Sequence, residues 1–219
     1  MKLILENWRK YLKEEQGTLI TKLRVFDFDD TLIHTFGDTL THTAVKTIVP
    51  KVIVRDKKTG KTKTLDSQQE LEDYKKTEGE ELDFSEFLNV NKKAPPIKKI
   101  IKIFRNLVEH PGKDRKVMII TARMSEAVPE IKDYLENLKP PIDLTDVEVV
   151  GTGGDSKAPY VQRELDGLPN VNSFIMFDDS EKNLVEVRAM LKENFPDIEV
   201  KLRRPTVEDG EVKVPIFKH

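Results

Sequence analysis

Asp27, Asp29 and Asp30 crowd the end of the run Val25-Phe26-Asp27-Phe28-Asp29-Asp30-Thr31-Leu32. They close an apolar, β-branched and aromatic segment, Leu23 to Phe28, so a buried strand delivers acids to an exposed edge. Carboxylates at such an edge can attack an electrophile, carry a proton or hold a hard cation. Asp and Thr are also ordinary turn and N-cap residues after a strand, so the run alone leaves a structural role open.

Partners for these acids stand further along the chain. VMIITAR, residues 117 to 123, ends an apolar run in Thr121, Ala122 and Arg123, and Lys157 opens a short helical pattern. FIMFDDSEKN, residues 174 to 183, ends in Asp178 and Asp179, with Asn183 a turn later. In a parallel sheet all strand C-termini share one edge, so these residues can converge. Acids, a hydroxyl and a lysine at successive strand ends are the components of a phosphate site.

The elements that must position them alternate. Strands are expected at the first run, at Val117 to Ile120, at Val147 to Val150, at Phe174 to Phe177 and, in alternating form, at Ile198, Val200 and Leu202. Helical apolar faces lie between: Ile97, Ile100, Ile101, Phe104, Leu107 and Val108; then Val128, Ile131, Leu135 and Leu138; then Leu184, Val187, Leu191 and Phe195, closed by Pro196. A shorter helix fits Ser156 to Leu165, with Gly167 as its C-cap. The pattern predicts an α/β fold, a Rossmann-like parallel sheet flanked by helices.

Residues 34 to 94 break this rhythm and read as an insertion after the first strand. KVIVRDKKTGKTKTL, from Lys51 to Leu65, predicts a hairpin turning at Lys58-Thr59-Gly60, followed by a polar helix near Ser67 to Lys76. Lys51, Arg55, Lys57, Lys58, Lys61 and Lys63 make the hairpin basic, whereas residues 66 to 88 are mostly acidic. Such blocks are either solvated faces or a lid that attracts an anion. Gly60-Lys61-Thr62 resembles the end of a phosphate-binding P-loop, but Arg55 stands where that pattern needs glycine. Nucleotide binding by that loop is therefore rejected.

Composition excludes several classes. The 37 basic and 39 acidic residues nearly cancel, so no global field draws the chain to nucleic acid or a membrane. Cysteine is absent, which removes disulfides, thiolate zinc sites and cysteine nucleophiles. His34, His42, His110 and His219 show no metal-ligand spacing. No stretch has transmembrane length, and Leu3 to Leu5 is too short for a signal peptide, so a soluble, cytoplasmic protein without a membrane partner is expected. Residues 1 to 19 contain an amphipathic helical pattern over residues 2 to 16, with Ile4, Trp8, Tyr11 and Leu12 on one face.

The motifs resemble those of the haloacid dehalogenase superfamily of aspartate-nucleophile phosphatases. Asp27-Phe28-Asp29-Asp30-Thr31-Leu32 matches the first motif, Thr121 the second, Lys157 the third and Asp178-Asp179 the fourth. Lys157 precedes Asp178 by 21 residues, a separation typical of that family. Asp83-Phe84-Ser85-Glu86-Phe87 and the DDS-x-K-N form of the fourth motif are similar to small phage or bacterial members. The resemblance covers roughly residues 20 to 33 and 95 to 205; it implies a catalytic core of residues 20–33 and 95–219, with 34–94 as a substrate-selecting cap.

What the resemblance implies is Mg²⁺-dependent phosphomonoester hydrolysis through an aspartyl-phosphate. Asp27 is then nucleophile and metal ligand, and Asp29 acid, base and backbone-carbonyl ligand. Asp178 or Asp179 completes the metal site. Thr121, Ala122, Arg123 and Lys157 bind the phosphate, with Lys157 also orienting Asp27; a surface ion pair is the other reading of Arg123. The expected partner is a small phosphorylated metabolite or nucleotide. Two alternatives remain: a 3′-phosphatase acting on nucleic-acid ends, with the basic hairpin on the backbone, and a non-catalytic binding protein that keeps the fold.

Overall fold

The computed structural model describes residues 20–35, 51–65, 70, 74–75, 77–208 and 211–218. In chain order the elements are β1 (Lys22–Phe26), β2 (Val52–Asp56), β3 (Thr62–Leu65), β4 (Glu80–Asp83), a 3₁₀ turn (Ser85–Leu88), α1 (Lys98–Glu109), β5 (Arg115–Thr121), α2 (Val128–Glu136), β6 (Glu148–Gly151), α3 (Ala158–Asp166), β7 (Ser173–Phe177), α4 (Glu181–Asn194), β8 (Glu199–Arg203), β9 (Thr206–Glu208) and β10 (Glu211–Lys213). The expected N-terminal helix and most of the expected polar helix at Ser67 to Lys76 lie outside the described residues.

Five strands form the expected parallel sheet, in the order β6-β5-β1-β7-β8. β1 lies at its centre and shows why the strand signal is a continuous apolar run. Leu23 and Val25 point into one core with Val161, Phe174, Leu184 and Leu202. Phe26 points into the other with Phe104, Ile131 and Leu135. Both faces are covered, α1 and α2 on the Phe26 side and α3 and α4 on the other, so neither face tolerates a polar alternation.

Register then sets the position of the acids. Phe26 pairs with Ile119 on one side and Phe177 on the other, which places Asp27 and Asp178 side by side at the next step. Phe26 stacks on Phe177 at 4.6 Å between ring centroids and meets Phe104 edge-on at 5.1 Å. These aromatic contacts fix the two strand ends that carry the carboxylates.

The expected hairpin is present as β2 and β3, with Gly60 at φ 69° in its turn, where glycine carries no steric penalty. Asp56 Oδ1 accepts the N–H groups of Lys58 and Thr59 at 2.7 and 3.0 Å, so this is a capped turn rather than a phosphate loop. A third strand, β4, pairs with β2 on its other side and was not read from the sequence. Val52, Val54, Leu65 and Phe87 form a small separate core beneath the three strands. β4 brings acids against the basic hairpin: Glu81 pairs with Arg55 in register and lies 3.5 Å from Lys57 Nζ. Exposed pairs of this kind add little stability, but they reduce the positive field the hairpin presents.

The two ends of the insertion run together. His34 N–H donates to the Pro95 carbonyl at 2.9 Å, Ile33 bridges Pro96, and Ile97 N–H donates to the Leu32 carbonyl at 2.9 Å. Beyond β8 the chain forms the β9–β10 hairpin and returns to bury Phe217 beside Leu202. Among the described residues, no helix is long and apolar enough to cross a membrane.

Candidate active site

The sheet edge gathers the predicted residues around a cavity of about 310 Å³ whose lining includes Asp27, Asp29, Ala122, Arg123, Lys157, Asp179 and Asn183. Asp27 extends the β1 ladder by one bond, its N–H donating to the Phe177 carbonyl at 2.8 Å. The chain then turns sharply. Leu32 and Ile33 N–H groups return to the Phe28 carbonyl, and Asp30 takes φ 50°, which Asp tolerates better than most residues. Asp30 Oδ1 accepts the Thr35 N–H at 3.0 Å, a structural role within the loop.

Lys157 stands at the N-cap position of α3 and is buried, its ammonium bridging Asp27 Oδ1 at 2.6 Å and Asp178 Oδ2 at 2.7 Å. Burial alone would push its pKa down; Asp178 and Asp27 outweigh that and hold it above the ordinary lysine value. Burial drives the Asp27 carboxyl well above the usual carboxylate range. Lys157 opposes that shift, while Asp178, Asp179 and Asp29 reinforce it.

Asp27, Asp178 and Asp179 each offer a carboxylate oxygen within 4.8 Å of the others. Three hard oxygen donors, with no sulfur or imidazole, fit a hard divalent cation of the Mg²⁺ or Ca²⁺ kind. The two members of the fourth motif are held differently. Asp178 is fully buried and accepts from Lys157, from Ser180 N–H at 2.9 Å and from Asn183 Nδ2 at 3.2 and 3.3 Å. Asp179 lines the cavity and is placed by Thr31, whose hydroxyl accepts its N–H at 3.2 Å and donates to its Oδ1 at 3.3 Å. Asn183 thus bonds within the site rather than merely riding on α4.

Arg123 corrects an expectation. It lines the cavity but is not a surface residue: its side chain is only 2% exposed and forms a fork on Asp29, Nε to Oδ2 and Nη2 to Oδ1 at 2.8 Å each. The Asp29 carboxylate consequently stands outside the three-acid cluster. Thr121 is fully buried, and its hydroxyl lies 3.5 Å from Asp29 Oδ2 and accepts the Arg123 N–H at 3.2 Å. Ala122 is exposed and lines the cavity.

Thr35, Ser180 and the Gly151-to-Gly154 loop are members of the site to which the sequence assigned no role, as is Thr31, quoted there only within the first motif. The paired glycines after β6 were the available signal, since Gly153 and Gly154 adopt φ 65° and 88°. Gly151 is required by proximity: a Cβ there would lie 2.6 Å from the Met124 backbone and 2.7 Å from the Arg123 carbonyl. Gly151→Ala is expected to displace the Arg123–Met124 segment at a cost of about 1–3 kcal/mol. Chemical denaturation checks this, and an unchanged midpoint would show that the segment yields freely.

A central parallel sheet with carboxylates at its C-terminal edge defines an α/β protein, and in open sheets of this kind that edge is where ligands generally bind. No family model and no curated protein matches the chain. Among solved structures, an inactive mutant of the HAD domain of effector protein Lem4 from Legionella pneumophila is similar at 15% identity, covering 87% of this chain and 88% of that one, with a TM-score of 0.50. The effector Ceg4 from the same organism is 17% identical over 85% of this chain and 86% of that one, at a TM-score of 0.44. The chain has the haloacid dehalogenase-like fold. Asp27, Asp178 and Asp179 form a group that could hold a metal ion.

Proposed function

We propose that the chain is a Mg²⁺-dependent phosphomonoester hydrolase that works through an aspartyl-phosphate on Asp27. The observation that carries this reading is the buried Lys157 bridge between Asp27 and Asp178, beside a third carboxylate on Asp179. A structural lysine needs one counter-ion; here two carboxylates are buried on it, and the Asp179 carboxylate lies within 4.8 Å of both.

Asp27, Asp179, Asp178 and the Asp29 backbone carbonyl would hold the ion. When bound, Mg²⁺ neutralises phosphate charge that would otherwise repel an attacking carboxylate. Lys157 keeps Asp27 oriented and balances its charge. The Asp27 carboxylate attacks phosphorus, and the P–O bond to the leaving group breaks. Asp29 delivers a proton to that oxygen, then takes one from the water that hydrolyses the aspartyl-phosphate and regenerates Asp27. The Thr121 hydroxyl and the Ala122 backbone N–H would bind the phosphate oxygens.

A small phosphorylated metabolite or nucleotide is favoured over a nucleic-acid end because β4 places acids beside the basic hairpin. Hydrolysis of an aryl phosphate, a metabolite panel and 3′- and 5′-phosphorylated oligonucleotides should be measured with Mg²⁺ and with chelator. Chelator-sensitive turnover of small esters, with weak salt dependence, is expected. A steep fall in oligonucleotide turnover with salt would favour the nucleic-acid reading. No turnover on any substrate would favour a binding protein.

A further inference from the structure

Arg123 contacts the insertion as well as Asp29. While Nε and Nη2 hold the two oxygens of Asp29, Nη1 donates to the carbonyls of Phe87 and Asn89, 2.8 Å each. These contacts engage four of the five N–H donors a guanidinium has, leaving little to offer a substrate phosphate. The same group lies over two aromatic rings, 5.6 Å from the Phe28 centroid and 5.5 Å from that of Phe87. Phe28 belongs to the loop after β1, whereas Phe87 and Asn89 lie at the exit of the insertion. Thr35, at the entry of the insertion, donates its hydroxyl to Asp29 Oδ1. Both ends of the insertion therefore reach the same carboxylate, one directly and one through Arg123.

We infer that Arg123 is a positioning residue that couples the insertion to Asp29, so that the seating of the 3₁₀ turn Ser85–Leu88 sets the orientation of the acid/base carboxylate. The guanidinium is planar and its donors are fixed relative to one another, so a shift of the Phe87 and Asn89 carbonyls turns the fork and the carboxylate on it together. A lysine or a single hydrogen bond would rotate without transmitting that motion. Charge complementarity alone would need only the Asp29 half of these contacts. This inference rests on the reading of Asp29 as acid and base.

The test measures kcat/KM for phosphate monoesters whose leaving groups run from dinitrophenol to an alkanol, with wild type, Arg123→Ala, Asp29→Asn and the double variant. Hydrogen exchange is followed over residues 84–91. Arg123→Ala is expected to lose about 10²-fold with the alkyl ester and only a few-fold with dinitrophenyl phosphate, because acid catalysis matters most for poor leaving groups. The double variant should then match Asp29→Asn, and exchange over 84–91 should rise in Arg123→Ala but not in Asp29→Asn. A loss that is equal across leaving groups, an additive double variant, or unchanged exchange over 84–91 overturns the coupling. Should Asp29→Asn itself lose equally with all leaving groups, the acid assignment fails rather than the coupling alone. Arg123→Lys keeps the charge but cannot hold both oxygens and both carbonyls; it carries the same test if the alanine variant does not fold.

Discussion

Asp27→Asn is expected to abolish Mg²⁺-dependent hydrolysis of an aryl phosphate, by about 10³-fold or more, while the chain stays folded. The carboxamide is nearly isosteric but cannot attack phosphorus, so the loss should fall on kcat rather than on folding. Burial and three neighbouring acids already push the Asp27 carboxyl upward, so removing its charge also relieves crowding. The melting temperature of the variant should equal or exceed that of the wild type. Trapping a phosphorylated wild-type chain with substrate, and finding no label in the variant, would locate the covalent step. Hydrolysis retained by Asp27→Asn would remove it as nucleophile whatever the fate of the other assignments.

Lys157→Met should have the largest effect on stability. It removes the counter-ion of two buried carboxylates at 2.6 and 2.7 Å, and breaking a buried pair from one side costs about 3–5 kcal/mol. The deficit should also depend on pH. Lys157 is the influence that opposes the upward shift of Asp27; without it, that carboxyl keeps its proton to still higher pH. Between the unfolded carboxylate pKa and the raised folded value, the folded variant binds more protons than the unfolded chain, so its stability falls as pH rises. Urea unfolding of wild type and variant at about pH 5 and about pH 8 should show the larger deficit at the higher pH. A deficit of the same size at both would mean that Lys157 acts through packing alone.

The sheet was readable because its strands are buried on both faces. Val117 to Ile120 and Phe174 to Phe177 have no polar alternation to confuse with another element, and the helices between them keep their apolar stripes. The placement of Asp27, Lys157 and Asp178 follows from the shared strand edge. β4 was not readable: Glu80-Glu81-Leu82-Asp83 is short and acidic, and becomes a strand only because β2 lies beside it. Nor could composition say which acid Arg123 would meet. Its partners include two backbone carbonyls, which have no residue signature, and a carboxylate whose direction depends on the left-handed turn at Asp30. The return of Phe217 to the core is equally a matter of tertiary contact.

The pairing of His34 with Pro95 and of Ile33 with Pro96 has a further consequence. Because the chain leaves and re-enters the sheet domain at adjacent points, that domain experiences residues 36 to 94 as a loop whose ends are already joined. Closing a longer or shorter loop at such a junction changes the entropy only slowly with length. This doorway could therefore admit another segment, of different size and substrate preference, without disturbing β1. What a replacement would have to supply afresh is a pair of carbonyls for Arg123.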